Sequence, residues 1–241
     1  MTHNIAANWP GDPQMPADTV VAGGNAAGTA HNPLTDVIFD FGNVLIQWDA
    51  ESVMVPRYGA ELTREFFTPG TSGYFEASNM LDAGEPAEQA YAFVKDRYGE
   101  RWASMMRYYH ENFVDSLHGL VPGARVLVDD LRRANIGVWG LSNWDPETFP
   151  LAQRQVTLFE QLDGMVVSGY VGLIKPHADI FEHALRQFGI DRATSVFVDD
   201  RSGNIQGANA VGLRGIMFRD PRALRAALIA LGADIPPVEE S

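Results

Sequence analysis

Five short runs of apolar residues, most of them followed by helical patterns, constrain the fold of this chain more than any other feature. Each run is continuously apolar instead of alternating, which predicts strands that are buried on both faces. Helical patterns follow at residues 123–135 and 177–189, and the second stops at Gly189. This alternation predicts an α/β fold with a doubly wound, Rossmann-like parallel sheet. The five runs are DVIFD (36–40), IGVWGL (136–141), GMVVS (164–168), SVFVD (195–199) and LRGIMF (213–218).

Residues 50–118 interrupt this alternation. They contain amphipathic, aromatic-rich helical patterns without a convincing strand, and they are far longer than one crossover requires. We therefore expect an α-helical cap inserted into a core made of residues 34–49 and 119–241. Ligands of open α/β sheets bind beyond the carboxyl ends of the strands, so an insertion after the first strand would cover that end as a lid. Residues 1–33, rich in Ala, Gly, Asn, Pro and Thr, are expected to form a flexible leader.

Composition narrows the possible partners. The formal net charge of −13 argues against nucleic acid or an anionic membrane, although a phosphorylated small molecule is compatible if a metal and a lysine invert the local field. The absence of cysteine excludes disulfides and thiolate catalysis, and it fits a cytoplasmic location. No run approaches the about 18 apolar residues of a membrane span, and no secretory signal is evident.

Chemically active side chains follow the first, second and fourth predicted strands and lie in the loop after the third. Each has a structural alternative when taken alone, such as capping a turn or standing on a solvated loop. Carboxyl ends of parallel strands meet at one edge of a sheet, so we expect these side chains to converge there. They are Asp40, Ser142, Asn143, Lys175, Asp199 and Asp200.

The motifs that contain these residues resemble those of the haloacid dehalogenase-like hydrolase superfamily. In chain order they are DFGNVL (40–45), LSN (141–143), KP (175–176) and VDDRSGNIQGA (198–208). The resemblance extends from about residue 36 to residue 220, and the insertion has the position of that family's helical cap. It implies an aspartate nucleophile, and most members of the family are Mg²⁺-dependent phosphatases.

The resemblance implies a role for each motif residue. Asp40 would attack phosphorus and form an aspartyl phosphate, which divides hydrolysis into two easier displacements. Lys175 would neutralise the crowded carboxylates and hold phosphoryl oxygens, while Ser142 and nearby backbone N–H groups would bind another oxygen, with Asn143 beside the substrate. The expected Mg²⁺ ligands are Asp40, Asp200 and the backbone carbonyl of Gly42, with Asp199 and Asn204 supporting or completing the shell.

Gly42 departs from the family pattern. Most phosphatases of the family carry a second aspartate there, which protonates the leaving alcohol and later activates water. Its absence leaves the backbone metal ligand in place but removes general acid–base help worth about 10²–10⁴ in rate. Asp49 is one candidate replacement, and the alternative is that its side chain caps the start of the first cap helix.

Gly42 also keeps a second enzyme class open. The 2-haloacid dehalogenases of the superfamily displace halide with the same aspartate, and they need neither an acid nor a metal. Asp199 and Asp200 weigh against this alternative, because they would repel a carboxylate substrate unless a cation neutralised them. A third hypothesis is a catalytically weak member that binds a phosphorylated ligand or a protein.

Specificity is expected to come from the cap and the loops that face it. Trp48, Tyr74, Phe75, Glu76 and Asp82 are candidate substrate contacts. The alternative for Tyr74 and Phe75, which is favoured when each is taken singly, is that they pack helices together, and Trp48 has the same alternative. A small organic phosphate, such as a sugar phosphate, suits a helical lid that excludes water.

Overall fold

A computed structural model of the protein describes residues 33–237, so all but the last residue of the expected leader lies outside the described part. Within it, five parallel strands form a central sheet in the order β5-β4-β1-β6-β7. All five predicted runs form these strands, which confirms the predicted fold class. The strands are β1 (Asp36–Phe39), β4 (Gly137–Ser142), β5 (Gly164–Val167), β6 (Ser195–Asp199) and β7 (Arg214–Met217).

Both faces of the sheet are covered, which explains the continuously apolar strands. In β1, Val37 and Phe39 belong to one buried apolar cluster and Ile38 belongs to another on the opposite face. All five residues of β6 are buried. The helices that cover the core are α6 (Ala124–Arg133), α7 (Phe149–Gln155), α8 (Ser168–Val171), α9 (Ala178–Phe188), α10 (Ser202–Ala210) and α11 (Pro221–Ala230).

Helix α9 shows how local sequence sets these elements. It buries Ile180, Phe181, Ala184 and Leu185 on one side, the spacing of an amphipathic helix. It ends at Gly189, whose φ of 68° lies in the left-handed region that glycine adopts without a steric penalty. The predicted end of this helix is therefore confirmed.

The interval between the first and second sheet strands forms helices with an apolar cluster of their own. A two-stranded antiparallel ladder at its base, which the sequence pattern did not reveal, pairs β2 (Ile46–Trp48) with β3 (Leu117–Leu120). Throughout the described part of the chain, no helix has the length and apolar character needed to cross a bilayer. The helices of the interval are α1 (Ala50–Tyr58), α2 (Ala60–Phe66), α3 (Tyr74–Asp82), α4 (Ala87–Tyr98) and α5 (Glu100–Glu111). Short 3-10 turns occupy Phe113–Ser116 and Thr157–Gln161.

The strand order places β1 where the direction of winding reverses. After β1 the chain adds β4 and β5 on one side, then β6 and β7 on the other. Phe39 is aligned with both Gly140 and Val198. The next residues, Asp40 and Asp199, therefore lie side by side at the carboxyl edge, which is where open α/β sheets bind their ligands.

A close backbone approach holds one wall of this edge. A Cβ atom on Gly207 in α10 would lie 2.2 Å from the carbonyl oxygen of Pro176. Glycine therefore lets α10 pack against the loop that carries Lys175.

Candidate active site

A buried lysine joins two of the strand-end carboxylates. The ammonium nitrogen of Lys175 lies 2.8 Å from Asp40 Oδ1, 2.8 Å from Asp199 Oδ2 and 2.9 Å from the carbonyl oxygen of Leu141. These three bonds use all three ammonium protons. Only 3% of Lys175 and 8% of Asp40 is exposed, and Asp199 is fully buried. The cation and both carboxylates are thus held in fixed positions.

Burial and charge oppose each other in this group. Burial alone would lower the pKa of Lys175, but the charges of Asp199 and Asp40 outweigh it and raise the pKa. Burial raises the pKa of Asp40, and the neighbouring Lys175 ammonium limits that rise. Lys175 is therefore a permanent cation whose charge favours the ionised form of Asp40.

Asn143 fixes the loop that carries this lysine. Its Oδ1 accepts a hydrogen bond of 2.8 Å from the backbone N–H of Lys175, and its Nδ2 donates one of 3.0 Å to the Lys175 carbonyl. The amide predicted to bind substrate therefore positions Lys175, although Asn143 also lines the cavity. Buried Ser142 lines the same cavity beside Asp40.

The acidic cluster has donor atoms for a divalent cation. Ligand oxygens of Asp40, Asp199 and Asp200 lie within 4.8 Å of one another, so they could hold a metal ion. Asp199 is already engaged, because its carboxylate accepts from Lys175, from the Arg201 backbone N–H and from the Asn204 amide. These contacts indicate that Asp199 supports the positions of Lys175 and Asn204.

Two oxygens in this cluster have no protein partner. Among the described residues, the buried Asp200 Oδ2 and Asn204 Oδ1 make no hydrogen bond. Burial and the charges of Asp199 and Asp40 raise the pKa of Asp200 well above its ordinary value. A hard cation would satisfy both oxygens and offset this repulsion, so the donor set fits Mg²⁺.

The loop after Asp40 is compact and leaves space at Gly42. The carbonyl of Phe41 accepts hydrogen bonds from the N–H groups of Leu45 and Ile46, and Asn43 has a left-handed φ of 56°. Gly42 lines the cavity, and a Cβ atom there would meet no atom within 4 Å. The missing acid therefore does not reflect a lack of room for a side chain.

The insertion forms the opposite wall of the cavity. Trp48, Tyr74 and Asp82 line it, as expected. Glu76 was predicted to contact substrate but lies outside the cavity lining, since it is exposed and accepts a hydrogen bond of 2.8 Å from the Tyr98 hydroxyl. Phe75 packs in the apolar cluster of the insertion.

Asp49 caps a helix. Its Oδ1 accepts from the backbone N–H groups of Glu51 and Ser52, at 3.0 and 3.3 Å, at the start of α1. It is absent from the residues that line the cavity. The structural alternative for this residue is therefore correct, and the proton carrier must be sought elsewhere.

Sequence inspection missed a polar network between the insertion and the core. His110 of α5 lies 3.2 Å from Asp145 Oδ1 through Nε2 and 2.6 Å from the Tyr91 hydroxyl through Nδ1. Asp145 also accepts from the backbone N–H and hydroxyl of Thr148. His110 and Asp145 line the cavity together with Arg201. No motif marked these contacts, because they join residues from separate elements.

Comparison with known proteins places the site in a family. A family model described as haloacid dehalogenase-like hydrolase matches residues 37–212, a range that contains all four motifs. The chain is 30% identical over 196 residues to the sesquiterpene phosphatase astK of Aspergillus oryzae, covering 77% of this chain and 90% of that protein.

Solved structures share the fold. A HAD-like family hydrolase from Porphyromonas gingivalis has a TM-score of 0.64 at 21% identity, covering 83% of this chain and 98% of that one. A HAD family enzyme from Bacteroides thetaiotaomicron, complexed with magnesium and inorganic phosphate, has a TM-score of 0.60 at 19% identity, covering 78% and 96%.

Replacing Lys175 with methionine tests the buried ion group. Lys175→Met leaves two buried carboxylates without their cation, which should lower the free energy of unfolding by about 3–5 kcal/mol. Lys95→Met is the matched control, because Lys95 pairs with Glu100 while their side chains are 59% and 68% exposed. It should leave the free energy of unfolding close to that of the wild type, because exposed ion pairs contribute little to stability. Equal losses for both variants in urea unfolding would contradict the account.

Proposed function

The chain belongs to the haloacid dehalogenase-like hydrolase family, and we propose that within it the protein is a Mg²⁺-dependent phosphatase whose nucleophile is Asp40. The observation that carries this proposal is the pair of buried oxygens, Asp200 Oδ2 and Asn204 Oδ1, that have no hydrogen-bond partner among the described residues and belong to residues that line the same cavity as Asp40. A relative named as a phosphatase and a structural neighbour with magnesium and phosphate support it.

Asp40, Lys175 and Ser142 each have a role in the proposed reaction, which proceeds in two steps. The Asp40 oxygen that does not bind Lys175 attacks phosphorus and the alcohol departs, which leaves an aspartyl phosphate; water then releases inorganic phosphate and restores the carboxylate. Lys175 holds Asp40 in place from its other oxygen. Ser142 lines the same cavity, and its hydroxyl would donate to a phosphoryl oxygen.

The cation site supports this chemistry. Asp40, Asp200, the Gly42 carbonyl and Asn204 Oδ1 would hold Mg²⁺, with Asp199 orienting Asn204 and Lys175. Bound Mg²⁺ supplies positive charge that offsets repulsion between the carboxylates and a phosphate dianion. Haloacid dehalogenation has no corresponding use for the unpartnered oxygens, and a carboxylate substrate would be repelled by Asp200 beside the nucleophile.

The cavity walls favour an apolar leaving group over a sugar. The indole N–H of Trp48 lies 3.1 Å from the Tyr109 hydroxyl, so this donor is already used, and both aromatic residues line the cavity. A sugar would need several free polar partners on this wall. The relative named for sesquiterpenes supports the same substrate class. The apolar lining residues are Ile46, Trp48, Leu81, Met106, Tyr109, Phe113, Leu117 and Trp144.

Asp40→Asn tests the nucleophile. With 4-nitrophenyl phosphate and Mg²⁺, the wild type should turn over, EDTA should stop it, and the variant should lose ~10⁴-fold or more in kcat. Asp36→Asn is the control, since Asp36 lies at the opposite end of β1 and binds the Trp139 indole. Retained turnover in Asp40→Asn, or metal-independent halide release from a 2-haloacid by the wild type, would contradict the proposal.

A homologous series of alkyl phosphates tests the substrate class. Each methylene buried against the apolar wall contributes about 0.8 kcal/mol, so kcat/KM should rise about fourfold per added methylene until the wall is covered. Prenyl phosphates should exceed sugar phosphates by a wide margin. A flat series with a preference for sugar phosphates would contradict an apolar substrate while leaving the phosphatase proposal intact.

A further inference from the structure

The proposed reaction needs a proton donor that Gly42 cannot supply. An alkoxide leaves phosphorus poorly without a proton, and the attacking water must later lose one. The donor must reach the same cavity as Asp40. Several of the described residues that line this cavity are ionisable, but Asp40 is the proposed nucleophile and Asp200 a proposed ligand of Mg²⁺, and most of the others are engaged by neighbouring groups.

His110 and Asp145 are not available as acids. Both ring nitrogens of His110 are engaged, one with Tyr91 and one with Asp145. Burial raises the pKa of Asp145, but hydrogen bonds from His110 and Thr148 outweigh it and lower the pKa overall. Asp145 therefore stays ionised and carries no proton to donate.

The other protonated groups of the lining are also unsuitable. Burial raises the pKa of Tyr74 and of Tyr109 above the ordinary tyrosine value, so both hydroxyls are weaker acids than that of an exposed tyrosine. All three N–H groups of the Lys175 ammonium donate hydrogen bonds, to Asp40, to Asp199 and to the Leu141 carbonyl. None of these groups can alternate between acid and base near neutral pH.

Asp82 differs from all of them. It is half-buried, it lines the cavity, and within residues 33–237 no group hydrogen-bonds to its carboxylate. It is the last residue of α3, a helix with no basic residue in its final turn. The negative end of the helix dipole disfavours an anion there.

Contacts with the core fix Asp82 in this position. Its carbonyl accepts a hydrogen bond of 2.6 Å from the Ser168 hydroxyl, which itself accepts from the backbone N–H of Trp144 in the loop after β4. A Cβ on Gly84, the next turn residue, would lie 2.4 Å from the Gly169 carbonyl oxygen. The end of α3 is therefore pressed against the loops that carry the site.

We propose that Asp82, a residue of the cap, is the general acid–base that replaces the side chain missing at Gly42; this rests on the proposed phosphatase function. As Asp40 attacks and the P–O bond to the leaving group breaks, the carboxyl O–H of Asp82 donates its proton to that oxygen and releases the alcohol. The Asp82 carboxylate then takes a proton from water as that oxygen attacks the aspartyl phosphate. Phosphate leaves, Asp40 is restored, and Asp82 is protonated again.

The electrostatic setting fits the first of these steps. Burial, followed by the charges of Asp145 and Asp40, raises the pKa of Asp82 to about 8, and Arg201 and Lys175 limit the rise. Asp82 therefore holds its proton below that pH and loses it above. The ionisable groups that surround it are Asp145, Arg201, Lys175 and Asp40 from the core loops and Tyr74 and His110 from the cap helices.

Asp82→Asn tests this assignment with two leaving groups. An alkyl phosphate needs the proton, so its kcat/KM should fall by about 10²–10⁴. With 4-nitrophenyl phosphate, whose leaving group needs little help, kcat/KM should stay within about tenfold, and a burst of one nitrophenol per enzyme should precede slow turnover. Glu85→Gln, an exposed carboxylate in the following turn, should match the wild type.

The outcomes separate this inference from the proposed function. Equal losses on both substrates, or no loss on either, would overturn the role of Asp82 while the wild type remains a phosphatase. A wild type that hydrolyses neither substrate would overturn the phosphatase proposal and the inference together. The wild type alone gives a second measurement: kcat/KM for the alkyl phosphate should fall as pH rises through about 8, and the aryl phosphate should lack this limb.

Discussion

The buried contact of Lys175 with Asp40 and Asp199 is the interaction on which the site depends. Two carboxylates at the same level of neighbouring strands would repel each other in a buried setting, and a single ammonium bonded to both makes the arrangement tolerable. The parallel register brings the carboxylates together, and Asn143 and Gly207 keep the lysine loop in place. One oxygen of Asp40 is thereby held by Lys175, and the other is the proposed nucleophile.

The division of labour between core and cap follows from this arrangement. In the proposed reaction, the core edge supplies the charged groups that act on phosphorus, whereas the cap supplies an apolar wall and the proton. A proton donor that comes from the cap makes efficient turnover depend on a closed cavity. In that mechanism, a closed cavity would also exclude water until the leaving group has departed, which would favour transfer to Asp40 over direct hydrolysis.

The sequence predicted the core far better than the cap. The strands and the residues at their ends could be predicted, because a buried parallel sheet requires continuously apolar runs in the local sequence. Glu76 and Asp82 lie on the same helix, and only the observed helix orientation shows that Glu76 faces out and Asp82 faces in. The β2–β3 ladder escaped notice because its strands are short and pair across a long insertion. The bonds between His110 and Asp145 likewise depend on how the cap docks.

The most direct test of the account is to find the phosphoryl group on the enzyme. A substrate labelled in its phosphate is mixed with excess enzyme and Mg²⁺, quenched in acid within one turnover, and the protein is digested and mapped. The account predicts label on the peptide that contains Asp40, with none when Asp40→Asn is used. The reaction is sampled when half of the substrate has been consumed. If all of the label lost from the substrate is then free phosphate and no peptide is labelled, the account is contradicted.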